Sequence, residues 1–159
     1  MVDIRVQKGL NIPITGAPSE EREVKDLPKP KYIALDVQGL DQVKFKLLHR
    51  EGEEVALGQP LLEDKKCPGR MWVSPAGGKI VEVRRGLKRR LLAVVIEVAQ
   101  QEAVADLGAV DMSRISREDL VDKMKASGLF TRICLRPLDR LAFPERLPRA
   151  IFVKALESA

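Results

Sequence analysis

The sequence predicts an α+β chain dominated by short strands, and three observations carry that prediction. Alternating or β-branched runs at 32–37, 43–48, 71–74, 78–83 and 91–98 are separated by Gly, Pro and charged turn residues. One segment, 116–127, has the spacing of an amphipathic helix, opened by Ser116 and closed by Gly128. The length of 159 residues, with 45% hydrophobic and 32% charged, suits one globular core with an appendage.

At the N-terminus, Val2, Ile4 and Val6 alternate with Asp3, Arg5 and Gln7, the pattern of a short half-buried strand. Gly9, Pro13, Gly16 and Pro18 then interrupt regular structure, and 19–31 is a charged surface loop. Residues 1–31 are therefore expected to pack on the body as strand and loop. The runs 32–37 and 43–48 read as strands, with Val43, Phe45 and Leu47 on one face. Residues 78–83 and 91–98 form a hairpin around Gly86, with Val81 and Val83 set against Leu92, Val94 and Ile96. In the helix, Leu120, Val121 and Met124 give the apolar stripe. Residues 138–148 contain prolines and read as irregular, whereas 150–154 is a short apolar strand. That last strand reads as the start of a second, α/β domain in a longer protein. The expected division is 1–31, 32–100, 101–148 and 149–159.

Composition narrows the function classes. Cys67 and Cys134 stand alone, which is neither a disulfide framework nor a zinc pattern. His49 is the single histidine, so no His-based triad or His₂ metal site can be built, and it reads as a strand-end residue near the surface. The longest apolar run is 91–96, far short of the roughly 18 residues of a membrane span. The N-terminus lacks the basic head and apolar stretch of a secretory signal.

The net charge of +5 is concentrated in Lys79, Arg84, Arg85, Lys88, Arg89 and Arg90, with Glu82 alone opposing them. Aromatics are 4% of the chain and none falls in this cluster, so nucleic acid is not the expected partner. Two readings of Arg84, Arg85, Gly86 and Lys88 stand side by side. They form a solvated hairpin tip that resists edge pairing, or a docking turn for anionic lipid head groups or an acidic partner. Asp64, Lys65, Lys66, Pro68 and Gly69 form a second candidate docking turn, or a self-paired surface turn worth little energetically. Cys67 between them would be a reactive thiol if Lys65, Lys66 and Arg70 lowered its pKa. With no second Cys or resolving base beside it, an ordinary loop cysteine is the preferred reading.

The stretch Gly58-Gln59-Pro60-Leu61-Leu62 followed by Ser74-Pro75-Ala76-Gly77-Gly78-Lys79-Ile80 resembles the biotinyl/lipoyl-type barrel-sandwich hybrid. Gly77 and Gly78 would permit positive φ in its tight turn, and Pro75 fixes the approach. Two small sheets packed face to face follow from the flanking alternation. In such carriers a lysine at the hairpin tip holds the cofactor, and Lys65 and Lys66 lie near that place. No Met-Lys-Met is present, and Lys66 is followed by Cys67-Pro68-Gly69.

A more specific resemblance runs through the whole chain. It is carried in order by Lys8-Gly9-Leu10-Asn11-Ile12-Pro13-Ile14-Thr15-Gly16-Ala17-Pro18, Glu63-Asp64-Lys65-Lys66-Cys67-Pro68-Gly69, Pro75-Ala76-Gly77-Gly78-Lys79-Ile80 and Arg85-Gly86-Leu87-Lys88-Arg89. Ser127-Gly128-Leu129-Phe130, Arg136-Pro137-Leu138 and Ala150-Ile151-Phe152-Val153 continue it. Together these are similar to the A subunit of the sodium-translocating NADH:quinone oxidoreductase. The resemblance implies a peripheral subunit on the cytoplasmic side of the bacterial inner membrane, in a complex that oxidises NADH, reduces ubiquinone and exports sodium. It implies that NADH, flavins and the iron–sulfur centre belong to the other subunits, that this piece binds no cofactor itself, and that ubiquinone lies close to it. Phe130, Arg136 and Pro137 are the expected quinone-adjacent residues, and no catalytic or metal-ligating residue is expected. The departures are Cys67, where the family is polar, and Leu138, where an aromatic is common. The alternative is a lipoyl or biotinyl carrier, or a free-standing barrel-sandwich binding module.

Overall fold

The computed structural model describes residues 26–153, so the strand expected at 2–6 and the motif at 8–18 lie outside the described residues. The elements in chain order are β1 (Tyr32–Asp36), β2 (Phe45–Leu47), β3 (Glu54–Val55), β4 (Pro60–Asp64), β5 (Met71–Val73), β6 (Gly78–Arg85), β7 (Leu91–Val98), α1 (Arg117–Ala126), β8 (Cys134–Leu135) and β9 (Arg140–Leu141). They form a four-stranded sheet of order β1-β7-β6-β3, a three-stranded sheet of order β2-β4-β5, and the small hairpin β8-β9. Every ladder between named strands is antiparallel.

The two larger sheets share one core, drawn from Val37, Val43, Val55, Leu61, Leu62, Trp72, Ile80, Leu91, Val94, Ile96 and Leu141. The long apolar run of the sequence became β7, which lies between β1 and β6 and so needs apolar residues along most of its length. On the other sheet, Phe45 meets the edge of Trp72 with ring centroids 4.9 Å apart and planes at 83°, a geometry that suits two aromatic quadrupoles. Leu61 and Leu62 are adjacent, yet both are fully buried. Strict alternation forbids this, and the register shift between Pro60 and Leu62 permits it by adding a residue to one strand.

A second bulge corrects the expected hairpin face. The β6-β7 register slips between Ile80 and Glu82, so Val81 is left without a partner and stands 39% exposed. Ile80 is fully buried, and Val83 packs against the core beyond the slip. The alternation is therefore reset by one residue inside the strand. The glycine pair before it also has a reason beyond the one expected. A Cβ on Gly77 would lie 2.8 Å from the Ala103 carbonyl oxygen, and one on Gly78 would run into that of Glu97. Both glycines make room for close backbone approach, and only Gly78, at φ 158°, also takes the positive φ expected.

Helix α1 begins as the sequence indicates. The Ser116 hydroxyl accepts from the Asp119 backbone N–H at 3.0 Å and donates to the Asp119 carboxylate at 2.8 Å. Its end is set by Gly128 at φ 78°, a left-handed C′ position. A Cβ there would come within 3.4 Å of the Met71 carbonyl oxygen, so the helix end is seated on β5. Leu120, Val121 and Met124 are half-buried beneath it.

Beyond α1, a 3-10 turn over Leu129–Arg132 buries Phe130, and β8-β9 folds back so that Leu141 and Ala142 are covered. The stretch expected to be irregular thus contains a short paired strand, β9. The strand expected at 150–154 is not formed within the described residues. Ile151, Phe152 and Val153 are 77%, 88% and 86% exposed and pair with no strand among the described residues.

Candidate functional site

Three surfaces collect the residues singled out by the sequence. The first is the β4-β5 turn. Lys65, Lys66 and Pro68 are exposed there, but Asp64 is 1% and Arg70 2% exposed. Asp64 is therefore not presented as a docking group. Its carboxylate turns inward, accepts the Lys66 backbone N–H at 2.8 Å and pairs with Arg70 at 2.5 Å. Arg70 also donates to the Ala142 carbonyl at 2.6 Å and lies 5.3 Å from the Phe143 ring centroid. This buried cation fastens the turn to the C-terminal hairpin. Gly69 donates its N–H to Glu63, and together with the Lys46 ammonium this holds the Glu63 carboxyl below the usual range.

Cys67 is 2% exposed, and burial pushes its thiol above the usual value, outweighing the nearby Arg70. The reactive-thiol reading is overturned, because desolvation of the thiolate dominates over the cations. The ends of the turn are also fixed. Lys65 donates its N–H to the Lys44 carbonyl, and the Cys67 and Arg70 N–H groups close on Asp64 and Cys67. The lysines thus project from a braced backbone, with only their side chains free.

The second surface is the β6-β7 tip, where Arg84, Arg85, Lys88, Arg89 and Arg90 are all exposed. A 3-10 turn, Leu87–Arg89, forms its apex. The left-handed residues are Lys88 at φ 54° and Arg89 at φ 60°, while Gly86 is needed for space against Leu92, 3.2 Å from a would-be Cβ.

The third surface is a cleft of about 450 Å³ between the body and the C-terminal appendage. Leu35, Leu40, Trp72 and Leu141 give it apolar walls, and Asp36, Gln38, Thr131 and Arg132 place polar groups on its rim. The lining is about as polar as it is apolar and the cleft opens to solvent, so it is a shallow groove with one aromatic wall. The three residues expected beside quinone do not converge. Phe130 is buried under the appendage, whereas Arg136 and Pro137 lie in the exposed β8-β9 turn. Sequence reasoning missed Trp72, Thr131 and Arg132. The signal available was Trp72, the single tryptophan of the chain, on a strand facing the appendage.

His49 follows β2 half-buried, with Nδ1 3.0 Å from Glu53 Oε2 and Nε2 3.2 Å from Gln59 Nε2. The Gln59 amide donates to Nε2, which sets the proton on Nδ1 toward the carboxylate. Gln59 also accepts the Ala56 N–H at 2.8 Å, so this network braces the loop before β4. A broader groove of about 870 Å³ crosses the end of the larger sheet, with Lys31 and Glu97 paired at 3.6 Å within it. Beside it, Glu102 bonds Lys29 at 2.7 Å and the Gly77 N–H at 2.6 Å, which keeps its carboxyl below the ordinary value. Among the described residues, no group of three His, Cys, Asp or Glu side chains converges as a metal site. No helix among them is long and apolar enough to cross a membrane.

Residues 4–99 match the family described as the NqrA N-terminal barrel-sandwich hybrid domain. Three curated relatives are named as the A subunit of a Na(+)-translocating NADH-quinone reductase. The protein of Serratia proteamaculans is 37% identical over 98% of this chain and 35% of its own length. That of Rhodopirellula baltica is 37% identical over 97% of this chain and 34% of its own. The Vibrio parahaemolyticus protein is 38% identical over 98% and 35%. The chain spans about a third of the length of these relatives.

Proposed function

Because the chain belongs to the family of NqrA N-terminal barrel-sandwich hybrid domains, we propose that it serves as part of the A subunit of a sodium-translocating NADH:quinone reductase. The carrying observation is the extent of the likeness, 98% of the chain at 37% identity, which joins the sandwich to its C-terminal appendage in one pattern. In this reading the assembly oxidises NADH, reduces a quinone such as ubiquinone and moves sodium. Flavins and the iron–sulfur centre belong to other subunits, and this piece sits on the cytoplasmic face of the bacterial inner membrane.

Its own contribution is placement. Arg70, Gln59 and the two bulged strands make a rigid frame, and Lys65, Lys66 and Pro68 offer a braced turn to a neighbouring protein of the complex. A quinone-adjacent role, expected at Phe130, Arg136 and Pro137, has its better candidate in the neighbouring cleft, which none of those three residues lines. Phe130 immediately precedes Thr131 and Arg132 on its rim, and Trp72 supplies a flat apolar wall. A planar head group suits the aromatic wall, with Arg132 as the donor to its carbonyl, since the Thr131 hydroxyl already donates to the Gly128 carbonyl at 2.6 Å. The braced turn does not decide against the carrier alternative, whose arm is the lysine side chain itself; the missing Met-Lys-Met and the Cys67-Pro68-Gly69 that follows Lys66 stand against it.

A photoreactive quinone analogue applied to the assembled membrane complex tests the reading. Labels are expected between Leu129 and Leu141, or at Leu35, Leu40 and Trp72 across the cleft. Labelling confined to other subunits would remove the quinone-adjacent role and leave the assembly role standing.

A further inference from the structure

The β6-β7 tip carries five cations within seven residues, Arg84 to Arg90, and no acid among them. Two of the five are neutralised. Arg84 Nε lies 2.9 Å from Glu82 Oε2, and Arg90 pairs with Asp41 and donates to the Gln38 carbonyl. Arg85 bonds the Arg89 carbonyl at 3.2 Å, and among the described residues Arg85, Lys88 and Arg89 have no acidic partner. Between them Leu87 stands 94% exposed, more than any other large hydrophobic side chain described.

Solvation alone does not explain that apex. A lone outward leucine is ordinary at a protein surface, but this one stands at the summit of a turn between cations that lack an acidic partner among the described residues. The backbone holds it there at a cost, since Lys88 and Arg89 are both left-handed without being glycine. Hydrogen bonds fix the turn from within: Gly86 N–H to the Arg90 carbonyl at 2.8 Å, and Arg89 N–H to that of Gly86 at 3.1 Å. The Arg90 contacts then pin the tip to the loop after β1.

We infer that this tip docks on an anionic phospholipid surface, with Leu87 entering the interface and Arg85, Lys88 and Arg89 meeting lipid phosphates. A convex single turn with one apolar summit fits the headgroup layer, where a leucine sinks while cations on flexible stems stay at the phosphates. A protein partner is the poorer fit. A stable protein interface covers about 800 Å² on each side and is organised around a packed centre, which one turn cannot supply. The inference goes beyond the assembly reading by naming a lipid contact, and its test contains no other protein.

The 159-residue chain is to be floated with vesicles of equimolar phosphatidylglycerol and phosphatidylcholine, and with phosphatidylcholine alone. It is expected to rise with the anionic vesicles only, and to be released as salt increases. Lys88→Gln with Arg89→Gln should weaken binding by about 25-fold, near fivefold for each cation removed. Leu87→Ser should weaken it by about tenfold while leaving the salt dependence unchanged. All three side chains are exposed, and an unchanged circular dichroism spectrum confirms the fold of each variant. Failure to bind anionic vesicles overturns the inference and redirects the tip to an acidic protein face. Equal binding to neutral vesicles, or undiminished binding by the double variant, overturns it as well. None of these outcomes touches the assembly reading, which depends on copurifying subunits.

Discussion

Replacing Arg70 by methionine keeps much of the volume of the side chain and removes its charge. The structure sets the consequence, because the partner carboxylate is 2% exposed and cannot move to water without dismantling the β4-β5 turn. Asp64 would retain the Lys66 N–H at 2.8 Å, and the Ala142 carbonyl would lose its donor. Stripping one member from a buried pair costs about 3–5 kcal/mol. With a urea dependence of about 2 kcal/mol/M, the unfolding midpoint of the chain falls by roughly 2 M. Among the described residues Arg70 Nε has no partner, so the pair itself is incompletely repaid for its desolvation. The double variant Asp64→Leu with Arg70→Met should therefore recover about 1–3 kcal/mol of the loss, leaving about 1 kcal/mol for each of the two orphaned backbone groups. Hydrogen exchange at the Ala142 amide, bonded to the Ile133 carbonyl, should accelerate in the single variant because the appendage loses its fastening. A loss under about 1 kcal/mol for Arg70→Met, or a double variant no better than the single, would refute this reasoning.

Three further outcomes follow from the same structure. Gly78→Ala drives a methyl into the Glu97 carbonyl and should destabilise the β6-β7 hairpin by about 1–3 kcal/mol or more, whereas Pro75→Ala, in an exposed position, should cost far less; matched thermal melts decide it. Iodoacetamide at neutral pH should modify exposed Cys134 and spare buried Cys67 until urea is added, as peptide mass mapping would show; rapid native labelling of Cys67 would contradict its burial. Glu63 and Glu102 have folded pKa values below their unfolded ones, so their stabilisation is complete above about pH 4.5 and fades as pH falls through the folded values. Urea midpoints across that range should show an acid loss, and Glu63→Gln with Glu102→Gln should reduce it, the remainder coming from Glu53 and Asp111, which are lowered in the same direction.

The middle of the chain was legible because its signals are local. The extent of β7, the β6-β7 pairing and the Ser116 cap all follow from periodicity and hydrogen-bonding chemistry within a few residues. Val81 was misplaced because a bulge shifts phase without changing composition. Asp64 and Cys67 looked like surface groups in a charged, proline-containing turn. Their burial depends on Arg70 and on Ala142, 72 positions away from it. The cleft was illegible for the same reason, since its walls come from Leu35–Leu40, Trp72 and Thr131–Leu141, segments brought together only by folding. For Gly77 and Gly78 the sequence marked the right positions, but the crowding by Glu97, Glu102 and Ala103 that requires them is tertiary.

The central proposal is that this chain holds a place in a quinone-reducing assembly without performing the redox step. Its most direct test is affinity isolation of the tagged chain from membranes of its native host, followed by assay of sodium-stimulated NADH:quinone reductase activity. The account predicts that this activity copurifies with the chain and that the chain stripped of its partners has none. NADH oxidation by the separated chain, or isolation without any reductase activity, would contradict it.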